Sequence, residues 1–480
     1  MRHLLLLCIL SAIIPITQAA TWHVGPTRTY TYCSQVAPLV ADGDTILIDY
    51  ATYVNDPQVQ WNKNNLYIAG IGGRPRLEAG DIIANDMSNG KGIFVTRGND
   101  IHVHNIEFAN ARVQDNNGAG IRQEGAGLLV TNCLFDGNEM GILGGNIPNC
   151  KVTVEYCEFV NGGSTFNPGY QHNIYINHID TLVFRYNYSH NSIAEGHEFK
   201  SRATCNIIMY NRIANEDSED SRTIDIPNGG TSVVVGNVIE QGPNSANTNI
   251  LGYGLEGLTN PAAHALYCAN NTFINKKDRG SFIQVANGTE TLLVKNNILA
   301  GAVTSGLING SAVNMDTSNN WVNTDLGVFG FQDETGYDYH LLSSSPAIDA
   351  GIDVNLTILG YSLLPTLMYK DTCGFEERVL EGTVDIGAFE YHTPLATHNP
   401  PTTSIQLFPN PTQDLFYIQC SDALESTGLV TVYTYEGAQI ESNHMIAGRS
   451  TMDVSRWAPG LYIVVVSTTA GLGTAKLIVH

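Results

Sequence analysis

YQHNIYINHIDTLVFRYNYSHNSIAEGHEFKSRATCNIIMYNRIANEDSEDSRTIDIPNGG, residues 170–230, contains three short strand-like pieces: HNIYI (172–176), HEFKS (197–201) and RTIDI (222–226). They recur at a constant step of 25 residues, which puts His172, His197 and Arg222 in one register and Tyr175, Lys200 and Asp225 in another. Ile174, Phe199 and Ile224 form an apolar ladder between the two polar sets. If each step is one turn of a coil, a strip of mixed charge crosses successive turns on one outer face.

The step extends in both directions. From about residue 60 a β run, one or two Asn and an apolar residue recur, as in HVHNIEFANA, VTNCLFDGN, MYNRIANE and LVKNNILAG. The apolar landmarks are Phe108, Phe135, Phe159, Ser189, Ile213, Ile239, Phe273, Leu299 and Val322, at intervals of 27, 24, 30, 24, 26, 34, 26 and 23 residues. A period in the twenties with Asn at a turn predicts a solenoid of short parallel strands. Asn tolerates left-handed backbone angles, and stacked Asn side chains can hydrogen-bond along a coil at its corners. Helical repeats need longer periods and an amphipathic spacing that this chain lacks.

Composition fits a folded, turn-rich β protein: 43% of the 480 residues are hydrophobic, 15% are charged and 47 are Gly. The net charge of −22, from 24 basic and 46 acidic residues, argues against nucleic acid as a partner. It fits calcium sites, extracellular solubility or neutral glycans. Residues 1–20, MRHLLLLCILSAIIPITQAA, have the basic, apolar and small-residue regions of a secretory signal peptide. The apolar run is shorter than a membrane span requires, and no later segment is apolar enough to span, so a soluble, exported monomer is expected. After Cys8 there remain eight cysteines with no CxxC pair, so a structural zinc site is not expected and no spacing demands a disulfide framework. Cys133 and Cys157 fall in one register on neighbouring repeats. A helix-like piece at 33–40 is expected to cap the open end of the coil.

The chain resembles the right-handed parallel β-helix proteins, the fold of pectate lyases, chondroitinase B-like lyases, polygalacturonases and several epimerases. LLSSSPAIDAGIDVN (341–355) and VDIGAFEY (384–391) resemble the closing segment of secreted β-helix proteins, matching at Ser345, Pro346, Asp349, Gly351, Asp385, Gly387 and Glu390. A Pro/Thr-rich linker, 393–403, follows the helix domain of residues 21–392. The last module, 404–480, alternates apolar and polar residues and reads as a small β-sandwich of about seven strands. Its FPNP (408–411), YTYEGAQI (433–440) and PGLYIV (459–464) resemble the C-terminal sorting domain of type IX secretion substrates. That resemblance implies the type IX machinery as a partner, passage through the periplasm, and a secreted or cell-surface location. The fold class is therefore all-β: a β-helix solenoid followed by a small sandwich.

Strand alternation puts Ile174, Phe199 and Ile224 inside, and Asn173, Glu198, Thr223, Tyr175, Lys200 and Asp225 outside, with Arg202 continuing the outer set. Three functional readings stay open. In the first, a uronic-acid polysaccharide is cleaved by β-elimination, which needs a base and a positive charge to stabilise the enolate. EGHEFKSR resembles the Glu- and Lys-bearing strand of the chondroitinase B-like and alginate lyases. That resemblance implies Lys200 as base and Ca2+ held by Glu195 or Glu198 with Asn173. Those enzymes place Arg on the next rung; here it carries Asp225, with Arg202 and Arg222 nearby. In the second, Glu198 and Asp225 form the carboxylate pair of a glycoside hydrolase. In the third, the solenoid is a non-catalytic glycan-binding or adhesin-like surface protein. Candidate substrate contacts are Tyr170, His172, Asn173, Tyr175, His197, Arg222 and Tyr253, the tyrosines as stacking platforms for sugar rings. His172 and His197 also read as hydrogen-bonded corner residues. The loop at Tyr253–Gly257 follows the 34-residue interval and is placed to wall the groove.

Overall fold

The computed structural model describes residues 19–480 except 81–89, 394–403, 421–427, 436, 446–448 and 469–470. Residues 1–18 of the expected signal peptide and 394–403 of the expected linker lie outside the described residues. The chain divides into two units, residues 1–391 and 392–480.

The first unit is a parallel β-solenoid. Its described strands form three long sheets of twelve, ten and eleven strands, and within each sheet every strand pairs with its counterpart one coil away. The register is the one the repeat predicts. All nine landmarks from Phe108 to Val322 occupy a single column of the eleven-stranded sheet. From Phe108 to Leu299 their side chains fill the coil, Val322 being exposed on the last strand, and the Phe108, Phe135 and Phe159 rings stack face to face at 5.2 and 4.7 Å between centroids. An aromatic stack at about the 4.8 Å rung spacing couples each coil to the next.

The Asn repeat has a direct structural cause. Asn187, Asn211, Asn237, Asn271, Asn297 and Asn320 form a ladder at one corner. Asn271 Oδ1 accepts from the Asn237 backbone N–H at 3.0 Å and from Asn237 Nδ2 at 2.9 Å, and the other steps repeat this pattern. Each Nδ2 also donates to a backbone carbonyl of an earlier coil, as Asn237 does to Ile208 at 2.9 Å. The residue before each ladder Asn has a positive φ: Tyr186, Tyr210, Gly236, Asn270, Asn296 and Asn319, between 51° and 67°. Where the motif has two Asn, the first therefore tolerates the left-handed turn and the second satisfies the corner's backbone groups. Cys157 and Cys133 continue the same column, with the Cys133 N–H 3.4 Å from Cys157 Sγ. Cys33, Cys133, Cys150, Cys157, Cys205, Cys268 and Cys373 of this unit are free thiols.

The N-terminal end carries one helical turn, Cys33–Val36, shorter than the 33–40 expected, with Cys33 and Val36 packed into the core. After the last coil, short antiparallel hairpins fold back over the outside of the solenoid. Phe329, Phe331, Tyr339 and Phe389 pack on Val238, Ile274 and Ile298 of the eleven-stranded sheet. Val354 and Leu363 pack on Ile207, Val233 and Val235 of the twelve-stranded sheet. This covering explains why strands such as Thr231–Val235 are apolar on both faces. The closing-segment residues form the clasp. Asp385 accepts from the Asp349 and Tyr391 backbone N–H groups, each at 2.7 Å, and Glu390 pairs with the buried Arg378 guanidinium at 2.9 Å. In the second unit, three strands form one antiparallel sheet and four another around a separate apolar core, the small seven-stranded sandwich expected.

Candidate functional site

Three strands of the ten-stranded sheet, His172–Ile176, Phe199–Ser201 and Ile224–Ile226, carry the candidate residues. Tyr175, Lys200 and Asp225 are direct partners across the three rungs, so they form the expected column. Ile174, Phe199 and Ile224 are buried in the core, as the ladder requires.

The structure corrects the second outward set. Asn173, Glu198 and Thr223 face into the coil, because the chain is turning a corner there and strict alternation does not hold. Asn173 Nδ2 donates to Ser189 Oγ and the His190 carbonyl at 3.2 and 2.8 Å, and also to Glu198. Glu198 Oε1 accepts from the Ser192 N–H at 2.8 Å, and Thr223 Oγ1 donates to the Glu240 carbonyl at 3.0 Å. Burial, then the nearby Asp220 carboxyl, push the Glu198 carboxyl well above the ordinary range. Glu198 and Asp225 thus lie on opposite sides of the sheet wall, and the carboxylate pair of the hydrolase reading is not assembled. Of the calcium candidates, Glu195 is solvent-exposed, whereas Glu198 and Asn173 are interior and hydrogen-bonded to each other. Among the described residues no group of three or more His, Cys, Asp or Glu is placed to hold a metal. Tyr253 is also corrected. It is 0% exposed, occupies the inward column of Ile226 and Val285, and donates to the Gly230 carbonyl at 2.5 Å.

The outer face has its own order. His172 and His197 lie just before the Tyr175 column. The His197 backbone N–H donates to His172 Nδ1 at 3.0 Å, and the two Nδ1 atoms are 3.1 Å apart. The backbone donor fixes His172 Nδ1 as an acceptor, so neutral His172 carries its proton on Nε2 and His197 carries its own on Nδ1. Burial comes first, joined for His172 by His197 and Lys200 and for His197 by Lys200 and Arg222, in pushing both imidazoles well below the ordinary value. Both are therefore neutral.

Beside them, Lys200, 8% exposed, places Nζ 3.1 Å from Asp225 Oδ2 and 3.1 Å from Glu256 Oε1. Asp225 also receives Arg222 at 3.3 Å and lies 3.6 Å from His197 Nε2. Arg202 is held on three sides: its Nε donates to Tyr175 Oη at 2.8 Å, Nη1 to Asn228 Oδ1 at 2.5 Å and Nη2 to Glu256 Oε2 at 2.6 Å. Tyr170 is 70% exposed, on the same loop as the exposed Phe166. The face thus gathers Tyr175, His172, His197, Lys200, Arg202, Arg222 and Asp225 from the sequence candidates. Glu256 and Asn228 join them without having been singled out. The expanded interval before Phe273 marked the loop that brings Glu256 in; nothing within the 25-residue step could.

Residues 406–480 match the family model described as the secretion system C-terminal sorting domain. No curated protein matches the chain. The sorting tail indicates export by the type IX machinery to the cell surface or the extracellular space. Among the described residues no helix is long and apolar enough to cross a membrane.

Proposed function

We propose that this exported β-helix protein is carbohydrate-active and cleaves a uronic-acid polysaccharide by β-elimination on the outer face around Lys200, Arg202, Tyr175 and His172. The observation that carries the reading is local. In a protein of net charge −22, three cations, Lys200, Arg202 and Arg222, gather on one face beside two neutral imidazoles. Solenoid faces suit extended polymers.

β-Elimination takes the proton beside the uronate carboxylate, builds negative charge on that carboxylate, and breaks the bond to the leaving oxygen, which gains a proton. Lys200, first read as the base, is an ammonium between two carboxylates and supplies charge with Arg202. Tyr175 Oη, beside Arg202 Nε, takes the proton in its phenolate form. The Tyr175 hydroxyl so formed returns that proton to the leaving oxygen, which regenerates the phenolate, and neutral His172 offers its Nε2–H as a hydrogen-bond donor.

The test is release of unsaturated, ultraviolet-absorbing ends from alginate, pectate or a glycosaminoglycan, with and without chelator. Absence of such ends from every uronate polymer sinks the reading, and new reducing ends without unsaturation point to hydrolysis. A non-catalytic glycan binder is the second reading, favoured by the exposed Phe166 and Tyr170. Binding without any product would select it.

A further inference from the structure

We infer that Glu256 is an internal stand-in for the substrate's carboxylate: Lys200 and Arg202 form a carboxylate clamp that the chain fills with its own side chain until a uronate displaces it. The inference rests on the proposed uronate reading and adds where the acid group sits and what must leave.

The geometry is that of a bound carboxylate. One oxygen of Glu256 meets Lys200 Nζ at 3.1 Å and the other meets Arg202 Nη2 at 2.6 Å, so both oxygens are engaged by separate cations. Arg202 is aimed by its other nitrogens, through Tyr175 Oη and Asn228 Oδ1, and leaves Nη2 for Glu256. The clamp is thus pre-organised without Glu256, as a binding site requires.

The two acids that meet Lys200 are unequal. The Asp225 side chain is 2% exposed and is tied to Arg222 as well, whereas the Glu256 side chain is 48% exposed. Exposed ion pairs contribute little net stability because water competes for both partners, so Glu256 is the one an incoming carboxylate can replace. Displacement needs no loop opening. The backbone around Glu256 is pinned: Gly254 N–H donates to the Ile226 carbonyl at 2.8 Å, Glu256 N–H to Pro227 at 3.0 Å and Asn260 N–H to Asn228 at 3.1 Å. Rotation of one side chain into solvent vacates the clamp. Until then, partial burial is outweighed by the Arg202 hydrogen bond and the Lys200 charge, which hold the Glu256 carboxyl below its ordinary value. The clamp stays self-occupied through the neutral range.

The test is calorimetric binding, without reference to turnover, of three-unit uronate oligosaccharides from pectate, alginate and chondroitin, alongside their carboxyl-reduced counterparts. Glu256→Gln should bind at least one uronate oligomer about tenfold more tightly than the unaltered protein, equivalent to about 1.4 kcal/mol. The reduced counterpart should show no gain, and adding Arg202→Met should remove it. Glu256→Ala serves as the second variant if Glu256→Gln does not fold. Equal or weaker uronate binding by both variants, or an equal gain for the reduced sugars, overturns the clamp. Tighter uronate binding with no unsaturated product upholds the clamp while the lyase reading fails. Product without tighter binding leaves the lyase reading standing and overturns the clamp.

Discussion

Lys200 Nζ lies 3.1 Å from Asp225 Oδ2, and these two residues are partners on adjacent rungs, 25 positions apart in the chain. The ion pair follows directly from the period of the repeat. Asp225 is the fixed member, 1% exposed and bonded also to Arg222. Removing one partner of a buried pair leaves the other uncompensated. Asp225→Asn leaves Arg222 without its carboxylate and Lys200 with only the half-exposed Glu256, and should destabilise the protein by about 3 kcal/mol. Lys200→Met leaves Asp225 still paired with Arg222 and should cost clearly less. Urea denaturation of the two variants measures the difference; equal losses would mean that Arg222 contributes nothing to holding Asp225.

The histidine pair gives a pH dependence whose sign is fixed. Unfolded imidazoles protonate near pH 6.5, whereas burial and the neighbouring cations hold folded His172 and His197 neutral well below that pH. Below about pH 6.5 the unfolded chain binds more protons, so stability is full above that pH and falls as the pH drops, by up to about 1.4 kcal/mol per unit for each histidine. His172→Asn keeps an oxygen to accept from the His197 N–H and removes one titrating group. Its stability should fall less steeply than that of the unaltered protein between neutral pH and pH 5, read from thermal melts at several pH values.

The fold was legible because one side chain in each coil, at Phe108, Phe135, Phe159 and onward, repeats the same packing problem, and its solution recurs in the sequence. The Tyr175, Lys200 and Asp225 column followed from the same period. What was not legible breaks the repeat. Asn173 and Ile174 both face inward, so alternation extrapolated from Ile174 put Asn173 and Glu198 on the wrong side. Tyr253 was misread because an aromatic beside a loop looks like a platform, although its register is that of Ile226, an interior position. Glu256 comes from a loop 56 residues beyond Lys200; the 34-residue interval marked that loop, but only folding shows the pairing of Glu256 with Lys200.

Interior placement also gives Glu198 a testable titration. Burial first, and then Asp220, raise its folded pKa well above the ordinary carboxylate value, which is about 4.3 in an unfolded chain. The associated stability is full below that unfolded value. It is lost as the pH rises through the folded one, because the unfolded chain gives up its proton first. Glu198→Gln resembles the protonated acid and should flatten this alkaline decline, gaining on the unaltered protein between pH 5 and pH 9 in chemical denaturation. The same variant should still release product, since Glu198 does not face the outer groove. Loss of product with an unchanged melting profile would return Glu198 to the catalytic list.

The asparagine ladder should be the most sensitive polar feature of the coil. Asn237 is fully buried and bridges three coils: its amide donates to the Ile208 carbonyl and to Asn271 Oδ1, each at 2.9 Å, and its Oδ1 accepts from the Asn211 N–H at 3.0 Å. Truncation leaves that N–H and that carbonyl buried without partners, at about 1–3 kcal/mol for each orphaned group. Asn237→Ala should therefore cost about 3 kcal/mol or more by urea denaturation. Asn237→Asp restores the acceptor but not the donor, so it should recover only part of the loss while ionised and more of it at acid pH, where the carboxyl gains a proton to donate. The comparison separates the two halves of the amide: the oxygen closes the corner of the preceding coil, and the nitrogen ties its own corner to the coils on either side.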